Sequence, residues 1–135
     1  MEYKNVQTIC PFCGCGCGLN LEVVEGEIIG VLPANEHPVG QGSLCIKGWN
    51  AHSFVQHPDR LRTPLIRENG DFRPATWDEA LSLIAETLVL IKTGHGADSI
   101  GVLASAKCTN EENYLLQKFT RAVIGTNNID HCARL

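Results

Sequence analysis

Aromatic side chains are scarce, at 6% of the 135 residues. That is too few for the stacked platforms on which single-stranded nucleic acids lie. Positive charge is not in excess either. Eleven Lys+Arg face 15 Asp+Glu, a formal net charge of -4, whereas nucleic-acid binders present a basic field. No apolar run approaches the roughly 18 residues of a membrane span. The start has no basic stretch leading into an apolar one and no twin-arginine pair. No export signal is therefore read, and the cytoplasm is the expected compartment. The 44% of hydrophobic residues suffices for a packed core, which argues against global disorder.

Cysteine, by contrast, is abundant and clustered. Of seven, Cys10, Cys13, Cys15 and Cys17 lie together, and Cys45, Cys108 and Cys132 follow singly. An odd count in a reducing compartment does not suggest disulfides. The spacing Cys10-x2-Cys13-x3-Cys17, with Cys45 supplied from a distance, suits an iron–sulfur cluster held by four thiolates. Three ligands sit on one tight loop, and the fourth ties that loop to the rest of its module. Gly14, Gly16 and Gly18 allow the backbone to approach the sulfurs, and peptide N–H groups aimed at them tune the reduction potential. Cys15 is a surplus thiol, so Cys10, Cys13, Cys15 and Cys45 form an alternative set; x2-then-x3 is closer to a ferredoxin-like knot. Zinc is the competing metal, but zinc sites of four cysteines usually consist of two C-x2-4-C pairs, and Cys45 has no such partner.

Other residues give weaker signals. Lys47, two positions beyond Cys45, reads either as a solvated loop lysine or as a cation beside the cluster that stabilises added electron density. His37, His52, His57, His95 and His131 are scattered and read as surface or packing residues. Gly94-His95-Gly96 lacks the ending of a phosphate loop. Cys108 and Cys132 read as ordinary buried thiols rather than nucleophiles.

Two parts are expected: residues 1–58 as a small metal module and residues 59–135 as the start of an α/β domain. In the first, residues 19–25 and 27–32 predict a hairpin about Glu25-Gly26. A Pro/Gly-rich loop then delivers Cys45, and a short helical stretch is expected over 49–56. After a linker over 57–64, short strands over 65–67 and 72–74 flank Asn69-Gly70. Thr76-Trp77-Asp78-Glu79 is a capping box. The helix it opens carries Leu81, Ile84, Leu88 and Ile91 on one face and is expected to end at Gly94. Residues 99–104 read as a buried strand and 108–110 as a polar loop. Glu111 and Glu112 open a second helix bearing Leu115, Leu116, Phe119 and Val123, closed by Gly125. The order helix, strand, helix fits the first units of an α/β layer, and a single strand leaves that layer unfinished.

CPFCGCGCG, the hairpin, and GQGSLCIKGW together resemble the start of molybdopterin-dependent oxidoreductases. The stretch SAKCTNEENYLLQKFTRAVIGTNNIDHCARL is similar to the catalytic (alpha) subunit of formate dehydrogenase. The resemblance spans nearly the whole chain. It implies that Cys10, Cys13, Cys17 and Cys45 bind one [4Fe–4S] cluster, that Lys47 lies between cluster and pterin as an electron relay, and that the second part begins a domain holding bis(molybdopterin guanine dinucleotide) with molybdenum or tungsten. Cys15 departs from relatives that carry another residue there.

The implied reaction is oxidation of formate to carbon dioxide. Electrons would pass through the cluster to a beta subunit with further clusters or a flavin, and on to NAD or a deazaflavin. In that family a metal-ligating cysteine or selenocysteine follows the segment that here ends at Leu135. The sequence is therefore expected to be an N-terminal fragment, inactive alone and prone to associate, whose end reflects either a UGA selenocysteine codon read as stop or a deliberate truncation. A related enzyme such as a nitrate reductase, and a stand-alone iron–sulfur or zinc module, are the alternative readings.

Overall fold

The computed structural model describes residues 1–132. The elements run in the order β1 (Tyr3–Ile9), β2 (Gly18–Val24), β3 (Glu27–Pro33), α1 (Ile46–Trp49), β4 (Leu65–Glu68), β5 (Asp71–Pro74), α2 (Trp77–His95), β6 (Val102–Ser105), α3 (Asn110–Lys118) and β7 (Ile129–Cys132). They fall into two compact units. One comprises Met1–Arg60, Ser105–Asn113 and Cys132; the other Leu61–Ala104 and Tyr114–His131. No helix among the described residues is long and apolar enough to cross a membrane.

The first unit is built on an antiparallel sheet in the order β1-β2-β3. The expected hairpin is β2–β3. Glu25 and Gly26 both take positive φ, 51° and 89°, as a two-residue turn matched to strand twist requires. The third strand, β1, was not foreseen. Its sequence YKNVQTI has apolar residues every third position rather than in alternation, and all seven residues are exposed. It forms by pairing with β2 from Tyr3↔Val24 to Ile9↔Gly18. The core beneath the sheet is small. Cys10, Leu19, Val31 and Ala51 are buried, with Phe12, Cys17, Leu21 and Leu44 packed on them. The helical stretch expected over 49–56 lies earlier, as α1, because the chain turns helical at once after Cys45; residues 50–56 form turns instead.

The second unit contains the hairpin β4–β5, whose Asn69-Gly70 turn has φ of 53° and 96°. In α2, Thr76 Oγ1 accepts from Glu79 N at 3.2 Å, as an N-cap does. The helix passes through Gly94 and stops at Gly96, whose φ of 83° suits glycine. Its apolar residues line a groove of about 420 Å3 with Phe119, Val123 and Ile124. Leu81 and Ile84 remain more than half exposed there, at 55% and 54%. The strand expected over 99–104 begins later, because residues 97–99 form a 3-10 turn.

A second strand, β7, completes a pair with β6. Val102 N donates to Asn128 O at 2.8 Å and Ala106 N to Cys132 O at 3.3 Å. The bonds advance the same way along both strands, so the pair is parallel with α3 as its crossover. This is the α/β unit the helix–strand–helix order implied, one strand richer. After α3 the chain makes a π-type turn over Phe119–Ile124, and the helical path ends at Gly125, φ 88°.

Candidate iron–sulfur site

Residues 10–17 form the connection between β1 and β2. Cys10 N donates to Cys17 O at 2.8 Å, closing the loop where the Ile9↔Gly18 pair ends the ladder. Cys10 is buried, Cys13 and Cys17 are half-buried, and Cys15 and Cys45 are exposed.

The distant segment is folded back by contacts at the end of this loop. Ala34 N donates to Gly18 O at 3.1 Å. The His37 ring lies where a Cβ on residue 18 would be, and a Cβ at Gly40 would come within 3.5 Å of Cys17 Cβ. Leu44 then joins the core beside Leu19, which leaves Cys45 at the start of α1, its carbonyl accepting from Trp49 N at 3.1 Å. Two segments far apart in sequence thus present thiols on one core.

The thiols sense one another. Burial raises the Cys10 thiol above its ordinary value, opposed by the Phe12 backbone N–H and assisted by the charges of Cys13, Cys17 and Cys45. Cys15 is also raised, first by a thiol hydrogen bond with Cys13 and then by the charges of Cys13 and Cys17. Cys45 moves the other way. The backbone N–H groups of Gly48 and Lys47 favour its thiolate, and the Lys47 ammonium adds to them. The structure therefore brings together Cys10, Cys13, Cys17 and Cys45, with exposed Lys47 close by. It brings Cys15 to the same place.

Among the described residues no three His, Cys, Asp or Glu side chains are placed to clasp one metal ion. A single zinc would need its sulfurs about 2.3 Å from a common point. A cluster with several irons is held by four thiolates, and Cys10, Cys13, Cys17 and Cys45 with Lys47 beside them supply the thiols of such a donor set.

Elsewhere, Cys132 is exposed, which corrects its reading as a buried thiol. Ser105 Oγ lies 3.4 Å from its sulfur and, with the Ala106 N–H, lowers its pKa. Asn110, which the sequence places in a polar loop, is the first residue of α3. Its Nδ2 donates to Gly14 O at 2.9 Å, across 96 positions of sequence. A local sign was available: Thr109 and Glu112 form a capping box, Glu112 N donating to Thr109 Oγ1 at 3.2 Å and Thr109 N to Glu112 Oε2 at 2.7 Å. That box fixes Asn110 as the first helical residue. Nothing local could name Gly14 as its partner. Ala133, Arg134 and Leu135, part of the segment that resembles formate dehydrogenases, lie outside the described residues.

Comparison with known proteins finds two family patterns along the chain. Residues 3–57 match the Molybdopterin oxidoreductase Fe4S4 domain, and residues 60–135 match Molybdopterin oxidoreductase. The chain is 52% identical over 135 residues to F420-dependent formate dehydrogenase 1 subunit alpha of Methanococcus maripaludis, covering all of this chain and 19% of that protein. It is also 52% identical, with the same coverage, to F420-dependent formate dehydrogenase subunit alpha of Methanocaldococcus jannaschii. Among solved structures, the acetylene hydratase of Pelobacter acetylenicus superposes with a TM-score of 0.74 at 28% identity, covering 95% of this chain and 18% of that one. The chain thus spans about a fifth of the length of these relatives. With one family pattern on the cysteine-bearing sheet and another over more than half of the chain, the chain belongs to the molybdopterin oxidoreductase family.

Proposed function

We propose that the chain is the N-terminal part of a formate dehydrogenase alpha subunit, in which Cys10, Cys13, Cys17 and Cys45 hold a [4Fe–4S] cluster. The observation that carries the reading is the convergence of the 10–17 loop and of Leu44, the neighbour of Cys45, on one core, which brings Cys10 within reach of the charges of the other three thiols. The 52% identity to two formate dehydrogenase alpha subunits supports formate as the substrate of the whole protein. When bound, molybdenum or tungsten with bis(molybdopterin guanine dinucleotide) would supply two-electron oxidation of formate to carbon dioxide, and the cluster would pass electrons on singly.

The chain's own residues have defined tasks in this reading. Four thiolates anchor the irons. The core of Leu19 and Val31 keeps water from the Cys10 side. The N–H groups of Gly48 and Lys47 favour the thiolate of Cys45, the form that ligates. The Lys47 ammonium places positive charge where electrons leave or enter, which makes it the electron relay towards the pterin. Residues 1–58 are the cluster module, and residues 59–135 begin the pterin-binding domain. The whole protein would work in the cytoplasm with an electron-accepting beta subunit carrying clusters or flavin. The names of the two relatives favour a deazaflavin over NAD as final acceptor.

Anaerobic loading of the full 135-residue chain with ferrous iron and sulfide tests the core of the proposal. A brown product with about four irons per chain and an EPR signal on reduction is expected. Cys10→Ser, Cys13→Ser, Cys17→Ser and Cys45→Ser should each reduce iron uptake, and Cys15→Ser should not. A colourless, EPR-silent chain that takes zinc instead would overturn it.

A further inference from the structure

Cys13 and Cys15 compete for the same place. They lie two residues apart on the same loop, and the residue between them is glycine. Turning the Gly14–Cys15 peptide over would exchange the thiol that faces the core for the one that faces water, and glycine resists such a turn least. Yet the structure holds one arrangement, with Cys13 half-buried and Cys15 exposed.

We propose that Asn110 is the positioning residue that selects this arrangement: its side-chain amide, donated to Gly14 O at 2.9 Å, holds the peptide against turning and so keeps Cys15 out of the ligand set. The proposal rests on the reading of this loop as the cluster loop. Two further observations support it. A Cβ on residue 14 would collide with Asn110 Oδ1 and lie 3.4 Å from Nδ2, so glycine is needed here for the approach of that amide. The amide also stands on a braced base. The Thr109–Glu112 box fixes the helix start, and Asn113 Nδ2 donates to Ser105 O and Thr109 O, both at 3.1 Å. Asn110 itself is exposed, so its truncation removes the hold without opening a cavity.

The test uses the full chain in two arms. In the metal-free arm, thiols are alkylated with iodoacetamide without oxygen and each cysteine is read by mass spectrometry. Asn110→Ala should speed labelling of Cys13 about five-fold, the factor that loss of one ordinary hydrogen bond gives. Gly14→Ala should do the same without altering residue 110, because its Cβ would push the Asn110 amide off Gly14 O. In the loaded arm, with iron and sulfide, the wild type should give one EPR species with Cys15 open to alkylation. Asn110→Ala should give a mixture of two species, with Cys15 partly protected. Adding Cys15→Ser to Asn110→Ala should restore a single species, a rescue that a merely structural role would not produce. Unchanged Cys13 labelling in both variants, or a single unchanged spectrum for Asn110→Ala, overturns the proposal. If no version takes up iron and sulfide, the cluster reading fails, and the metal-free arm still decides whether Asn110 holds the loop.

Discussion

At the scale of single residues, the gathered thiols are chemically unequal, and their surroundings explain why. Cys45 sits at the opening of a helical turn whose N–H groups stabilise negative charge, so its pKa falls. Cys10 lies in the core, where burial penalises the thiolate, so its pKa rises. Because thiolate is the reacting form, the metal-free chain should alkylate fastest at Cys45 and slowest at Cys10 at neutral pH. The rate–pH curve for Cys45 should be centred below the ordinary thiol value of about 8.5, and that for Cys10 above it. Labelling across a pH series with readout at each cysteine checks this; equal midpoints would contradict the assigned surroundings. The cysteine spacing was legible in the sequence because three of the four proposed ligands share one short loop. The unequal acidities were not, since burial of Cys10 and the N–H groups beside Cys45 exist only after folding.

At the scale of elements, turns and caps were the most readable features, because their chemistry is local. Glu25-Gly26 and Asn69-Gly70 carry the positive φ their residues favour, and Thr76 caps α2. Thr109→Ala removes the corresponding cap of α3 and should cost about 1 kcal/mol in chemical denaturation. Loss of that cap should also loosen Asn110. A second expectation concerns Arg73, whose guanidinium bonds both Glu68 and Glu79. Arg73 is the main cause of the lowered Glu79 pKa. A carboxylate depressed in the folded state adds stability above its unfolded pKa of about 4.3 and loses it as pH falls through the lower folded value. Protection of the amides in the first turn of α2, relative to their intrinsic exchange, should therefore fall below about pH 4. In Arg73→Ala that pH-dependent fall should shrink, because the main cause of the depressed Glu79 pKa is gone. The strands missed at this scale, β1 and β7, have no apolar alternation: β1 is exposed along its length, and three of the four β7 residues are exposed. Their partners make them strands.

At the scale of the whole molecule, two small units each bury little. The first relies on Leu19, Val31, Cys10 and Ala51, a core so slight that bound metal would supply much of its folding free energy. Loading with iron and sulfide should raise the melting temperature of the first unit and leave that of the second unchanged. Two separated calorimetric transitions, only one of which moves, would verify it; a common shift would show the units to be coupled. In the second unit, the α2 groove leaves Leu81 and Ile84 half open, an apolar surface of the kind that mediates association. The sequence periodicity identified that face correctly as apolar, but it carried no information about whether anything covers it.

By itself the sequence determined what short-range chemistry dictates: the thiol spacing, the hairpin turns, the caps and the apolar stripe of α2. Each depends on residues within a few positions of one another. Tertiary structure decided which thiols are buried, how Cys45 meets the 10–17 loop, where β1 and β7 pair, and that Asn110 bonds Gly14 across 96 residues. Those outcomes depend on the path of the chain through space, which fixes distances that local sequence leaves open.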